Sequence, residues 1–216
     1  MDLRYRLYYF LNKLSSILPA WLFKFNKGTV YSTDDPHLRI RKNTKYLFDR
    51  VQDKDIEELS EFSGFSIKQL RERFQAGNIG IISRLATTQK IKTIQWAHMG
   101  EVFIRGFNLK LDIPANAAYF FWTYSSPDVR ITGIINTSFK IMISALDEEN
   151  IKEYYALVEF WNKGAHMFHH RLKFKEVMSV LYIKILFLNI TFKKHLESKK
   201  IGCDINIFRM KNVDII

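Results

Sequence analysis

Residues 119–135, YFFWTYSSPDVRITGII, run from an aromatic stretch through Ser-Ser-Pro into Arg130-x-x-Gly133 and then into apolar residues. Aromatic side chains favour a strand, Ser-Pro-Asp favours a turn, and the segment after Gly133 has the composition of a buried helix. A strand that turns directly into a helix aims several unbonded backbone N–H groups, and the positive end of the helix dipole, at one point. Such a point binds phosphate.

Working outward, strands are expected at 28–32, 38–40, 79–85, 91–103 with a bulge near Gly100, 118–124 and 154–160, and one or two closing strands over 176–192. Helices are expected from Asp53, from Ser66 to Gly77, over 134–146 and over 162–172, with Asp53 and Ser66 as N-caps. Helices before an antiparallel meander, followed by strand–helix–strand–helix–strand, predict an α+β fold of three layers. The expected architecture is a central, mostly antiparallel sheet flanked by helices. Residues 1–27 read as a basic amphipathic segment, 28–196 as the domain, and 197–216 as its C-terminal appendage.

The pattern Arg130, Ile131, Thr132, Gly133, Ile134, Ile135 resembles the (Q/R)xxGx(G/A) motif of the GNAT superfamily of N-acyltransferases, agreeing at its two anchor positions. Asn162, Ala165, His169 and Phe174 resemble that superfamily's second signature, NxxAxxxYxxxGF, with His169 where Tyr is usual and Lys173 where Gly is usual. LRERFQAGNIGIISRL resembles its helix and second strand, and WAHMGEVFIRGF its third, so the resemblance covers roughly residues 37–190. It implies that the fourth and fifth strands splay apart and hold the pantetheine arm of acetyl-CoA, or another acyl-CoA, between them. It also implies that the backbone of residues 121–125, with Thr123, Tyr124 and Ser125, meets that arm. The N–H groups of Ile131, Thr132, Gly133, Ile134 and Ile135, with the Arg130 side chain, would meet the pyrophosphate, and Asn162 would lie beside the cofactor.

Acyl transfer to an amine needs a proton acceptor and a donor for the leaving thiolate. Glu101, after Gly100 on an apolar strand, is the expected base, since a carboxylate beside a cleft has a raised pKa. An exposed edge carboxylate is the competing reading. His169 is the expected acid by the resemblance, with Tyr124 as a second candidate or a cleft-lining aromatic. Absence of both Glu101 and His169 from the cleft would favour a non-catalytic CoA-binding or membrane-associated module. His166, His169 and His170 offer an i,i+4 pair, yet no HExxH pattern or neighbouring carboxylate completes a metal site, and none is expected.

The chain has 216 residues, 47% hydrophobic, with a formal net charge of +11. That length suits a single core, and the charge attracts anions of any kind. No zinc-finger, helix-turn-helix or RNP pattern appears and the basic residues are scattered, so nucleic acid is not expected. CoA phosphates, acidic acyl carrier protein as an alternative acyl donor, and an anionic membrane all fit. One cysteine, Cys203, excludes an internal disulfide and fits a reducing cytoplasm. Residues 1–25 read either as an interfacial anchor stopped near Pro19 or as a helix docked on its own domain. The expected activity is transfer of an acyl group from acyl-CoA to the primary amine of an unidentified acceptor.

Overall fold

The computed structural model describes residues 3–38, 44–129, 133–196 and 201–207. Arg130, Ile131 and Thr132, and the 39–40 part of the expected strand at 38–40, lie outside the described residues.

The structure opens with helix α1 (Leu3–Ile17) and strand β1 (Phe23–Thr33). Strand β2 (Tyr46–Arg50), helices α2 (Ile56–Ser63) and α3 (Ile67–Gln75), and strands β3 (Ile79–Leu85) and β4 (Ile91–Met99) follow. A small hairpin, β5 (Val102–Ile104) and β6 (Leu109–Leu111), precedes strand β7 (Ala117–Ser125) and helix α4 (Ile134–Asp147). The chain then passes through β8 (Glu153–Glu159), α5 (Lys163–Arg171), β9 (Lys175–Ile185), β10 (Leu188–His195) and β11 (Ile201–Ile207). Among the described residues, nine strands form a sheet in the order β11-β10-β9-β1-β8-β7-β4-β3-β2, antiparallel except between β7 and β8.

The expected α+β architecture is the one observed, with three departures in strand layout. The N-terminal strand is central, hydrogen-bonded to β8 on one side and β9 on the other, and it begins at Phe23, five residues before the expected domain boundary. The appendage supplies β11 as an edge strand on β10. The expected strand over 91–103 is broken at Gly100, whose φ of +96° turns the chain out of the sheet into the β5–β6 hairpin.

Helices α4 and α5 cover one face of the sheet, packing Phe139, Met142, Leu146, Phe168 and Leu172 on Tyr31, Phe120, Tyr154 and Ala156. The opposite face is covered in two parts. The β5–β6 hairpin, with Phe107, packs on Val30, Tyr119, Val180 and Tyr182. Helices α2 and α3 pack Leu59 and Leu70 on Ile82, Ile94 and Trp96. Helix α3 starts as expected at Ser66: its hydroxyl accepts from the Gln69 N–H, and the Gln69 side chain accepts from the Ser66 N–H. The Arg84 guanidinium binds Asp55 at 2.7 Å and also Glu58, so the start of α2 is fastened to β3 by a charge cluster.

Helix α1 divides its apolar residues. Tyr8 stacks on Phe25 and meets Phe160 edge-on, with the Lys27 ammonium 3.7 Å from the Tyr8 ring centroid, and the Ser15 hydroxyl accepts from the Phe25 N–H. Leu7, Phe10 and Ile17 stay exposed. Docking and an outward apolar face thus coexist on one helix. No helix among the described residues is long and apolar enough to cross a membrane.

Candidate functional site

β7 and β8 pair in parallel only from Ala117↔Glu153 to Phe120↔Ala156. Beyond Phe120, β7 runs on to Ser125 and β8 to Glu159 with no ladder between them. The cause lies on the far side of β7. Its register with β4 shifts between Ile94↔Tyr124 and Trp96↔Phe121, leaving a bulge at Trp122, whose φ is +46°. A bulge sharpens the local twist and turns the strand away from its neighbour. The result is a cleft that closes at the Phe120↔Ala156 pair and opens toward the C-terminal ends of both strands. The inner edge of residues 121–125 offers unpaired backbone groups to an extended ligand.

Helix α4 begins at this mouth. Gly133 is its N-cap with φ +75° and no side-chain cap, so the N–H groups of the first turn have no protein partner supplied by the cap. Beneath that turn, the Gln95 amide nitrogen donates to the Ile135 carbonyl at 3.4 Å, while its buried oxygen has no hydrogen-bond partner. Asn162 caps α5 across the mouth, its side-chain oxygen accepting from the Ala165 N–H at 3.1 Å. Two helix N-termini therefore border the open end of the cleft.

On the opposite face the mouth is aromatic. Phe65 meets Trp122 edge-on at 4.3 Å, Phe62 meets Tyr124 at 5.1 Å, and the Tyr124 and Trp122 rings are parallel at 6.1 Å. The Arg73 guanidinium lies over Phe65, Phe121 and Trp122, and burial lowers its pKa. Thr123 is exposed and Ser125 buried. Tyr124 thus lines the wall formed by the α2–α3 turn.

Two expected chemical residues are elsewhere. Glu101 follows Gly100 at the closed end: Met99 pairs with Ala118 near the start of β7, so the carboxylate sits several residues from the mouth, at ~3.3 Å per residue of strand. Its side chain is 85% exposed and bound to Lys110 at 2.9 Å. The expected strand carboxylate beside the cleft is therefore an exposed turn carboxylate, because the αL turn at Gly100 ends the strand first. His169 faces inward, 8% exposed, stacked on Tyr31 and edge-on to Phe168 and Phe174. Its Nδ1–H donates to the Ala165 carbonyl at 2.8 Å, and burial holds its pKa at about 4. At neutral pH it is uncharged and its proton is already engaged, so it is a core histidine and not a proton donor.

The structure brings forward a carboxylate that the sequence reading passed over. Glu159 ends β8 at the mouth, on the face away from α5, and the residue is exposed. Partial shielding of its carboxyl raises the pKa, against the lowering by a Trp161 hydrogen bond and the Lys24 charge. Tyr119, buried in the same face, hydrogen-bonds the backbone of Leu157 just past the vertex and feels the Glu159 charge; burial raises its pKa.

A chain of hydrogen bonds supports this strand end. His166 Nε2–H donates to the Glu159 carbonyl at 3.1 Å, and its Nδ1 lies 2.7 Å from the Tyr31 hydroxyl. The Tyr31 hydroxyl donates to the Glu176 carboxylate at 3.1 Å and lies 3.3 Å from His170. Glu176 is the carboxylate near the histidines that sequence spacing could not supply, yet the Tyr31 hydroxyl fills the point where these groups converge. Among the described residues no group of three His, Cys, Asp or Glu is arranged to hold a metal ion.

No protein-family model matches the chain, and no curated protein is significantly similar to it in sequence. Solved structures are similar in fold. A Drosophila protein is 10% identical with a TM-score of 0.54, over 86% of this chain and 58% of that one. A tandem GNAT protein from the clavulanic acid biosynthesis pathway is 11% identical with a TM-score of 0.51, over 70% of this chain and 50% of that one. An aminoglycoside 6'-N-acetyltransferase from Acinetobacter baumannii is 14% identical over 61% of this chain and 91% of that one, at a TM-score of 0.48. The chain has the fold of the GNAT proteins. It spans about half of the tandem GNAT protein and under three-fifths of the Drosophila protein.

Proposed function

We propose that this protein transfers an acyl group from acyl-CoA to a primary amine. The observation that carries the reading is the opening of β7 from β8 beside the uncapped N-terminus of α4. An unpaired strand edge suits the amide groups of a pantetheine arm, and a helix N-terminus suits a pyrophosphate. The GNAT fold supports the same assignment. In this reading Thr123, Tyr124 and Ser125 flank the arm, Gly133, Ile134 and Ile135 carry the N–H groups facing phosphate, Arg130, Ile131 and Thr132 precede them in sequence, and Asn162 fixes the second helix end. Glu159 replaces Glu101 as the proton acceptor, since it reaches the mouth from the face opposite α4 and has a raised pKa.

The displacement of both Glu101 and His169 from the cleft favours a second reading, a CoA-binding module without turnover. A thermal-shift titration with CoA, acetyl-CoA and longer acyl-CoAs tests the binding common to both, with about 2.7 kcal/mol of stabilisation expected at 100 times Kd. No shift with any of them refutes both. Acyl transfer to a panel of primary amines, abolished in Glu159→Gln while CoA binding persists, separates the enzyme from the module.

A further inference from the structure

The end of the sheet toward which the cleft opens carries exposed apolar side chains that come from separate parts of the sequence. β1 is antiparallel to both neighbours, with Gly28 opposite Glu159 and Phe23 opposite Ile185. The start of β1, the β9–β10 turn and the free end of β8 therefore share one end of the sheet. Pro19 accepts from the N–H groups of Leu22 and Phe23, and Leu22 accepts from the Leu186 N–H at 2.8 Å, which holds the exit of α1 against the β9–β10 turn. There Trp21 is 59% exposed and Phe187 53%, with Ile17, Ile185 and Leu186 exposed beside them and Phe10 further along α1.

Most charges at this end are basic. Lys24 and Lys184 stand directly opposite each other across β1 and β9, an arrangement that costs stability, with the Glu159 carboxylate as the acidic group near Lys24. Arg6 and Lys13 share the outer side of α1 with Phe10 and Ile17. Aromatic and aliphatic tips among lysines and arginines, on a chain of net charge +11, match the interface of an anionic bilayer, where rings sit at headgroup depth and ammonium groups meet phosphate.

We propose that the protein docks on an anionic lipid surface through this end, with α1, Trp21 and the 185–187 turn as contacts. The docking does not depend on the acyl-transfer reading; if that reading also holds, the cleft mouth faces the bilayer and the acceptor amine is met at its surface. Flotation of the full chain with vesicles of phosphatidylcholine alone, or with added phosphatidylglycerol, tests it. Binding is expected to the anionic vesicles, to weaken with salt, and to fall at least about tenfold in Trp21→Ser/Phe187→Ser. Phe103→Ser, which removes an exposed ring from β5 at the closed end, is expected to leave binding unchanged. Failure to float with anionic vesicles overturns the proposal, as does equal loss in the Phe103 variant. Concentration-dependent self-association in the absence of lipid, abolished by the double variant, would assign the patch to a second copy instead.

Discussion

Replacing His169 by phenylalanine should flatten the acid dependence of stability. The imidazole lies between Tyr31, Phe168 and Phe174, and burial holds its pKa at about 4, outweighing the hydrogen bond to Ala165 that favours the proton; the neighbouring His166 and His170 charges push it lower still. In the unfolded chain the value returns to about 6.5. Between these two values the unfolded state binds the proton and the folded state does not, so this contribution is intact above about pH 6.5 and is lost as pH falls toward about 4. The integrated loss is about 2 kcal/mol at about pH 5. Phenylalanine keeps the ring contacts, and the Ala165 carbonyl retains its i→i−4 helical donor. Urea unfolding followed by tryptophan fluorescence, for both proteins at several pH values, measures the difference directly. Parallel stability curves for the two proteins across this range would show that His169 is exposed or charged, and would reinstate it as a proton donor.

Glu159→Gln should lower turnover by on the order of 10²-fold or more with CoA affinity unchanged, and should remove the acidic limb of the rate profile. That limb reports protonation of the base and should lie above the ordinary carboxylate range; an unaltered profile in the variant excludes Glu159. Gly133→Ala should cost about 1–2 kcal/mol, because φ of +75° strains any residue with a Cβ although the added atom meets nothing within 4 Å. An unchanged melting temperature would show that the turn relaxes. Gly80→Ala should destabilise by about 1–3 kcal/mol for the opposite reason, since its Cβ would stand 2.6 Å from Val51 and 2.8 Å from Trp96. Full stability there would mean that Trp96 is free to move.

The elements written in local chemistry were legible in the sequence. Aromatic β7, the apolar α4, the Ser66 cap and β3 all declare themselves within a few residues, whereas α2 starts after Asp55 and not from the expected Asp53 cap. The features that were missed depend on distant contacts. Glu101 read as a strand residue because the strand-favouring composition of 91–103 continues past Gly100, read as a bulge, and only the positive φ there shows that the sheet has ended. His169 read as available because sequence cannot say which side of α5 meets Tyr31. Glu159 carried no signal of its own, since a carboxylate closing a strand acquires meaning only when the neighbouring strand has bent away. β11, beyond residue 200, is set by its pairing with β10.

The central place of β1 has a consequence for how the chain assembles. Its residues leave the ribosome early, yet their partners lie at 154–159 and 175–185, so the strand must wait for most of the described chain before either edge is satisfied. Contacts of such sequence separation slow folding and leave apolar strand surface open to misassociation during synthesis. Helix α1, with Tyr8 over Phe25 and Ser15 bonded to its backbone, is the local structure able to shelter the start of that strand in the interval. Removal of residues 1–27 therefore trims the centre of the sheet as well as α1, and its first symptom should be a lower yield of folded protein from translation.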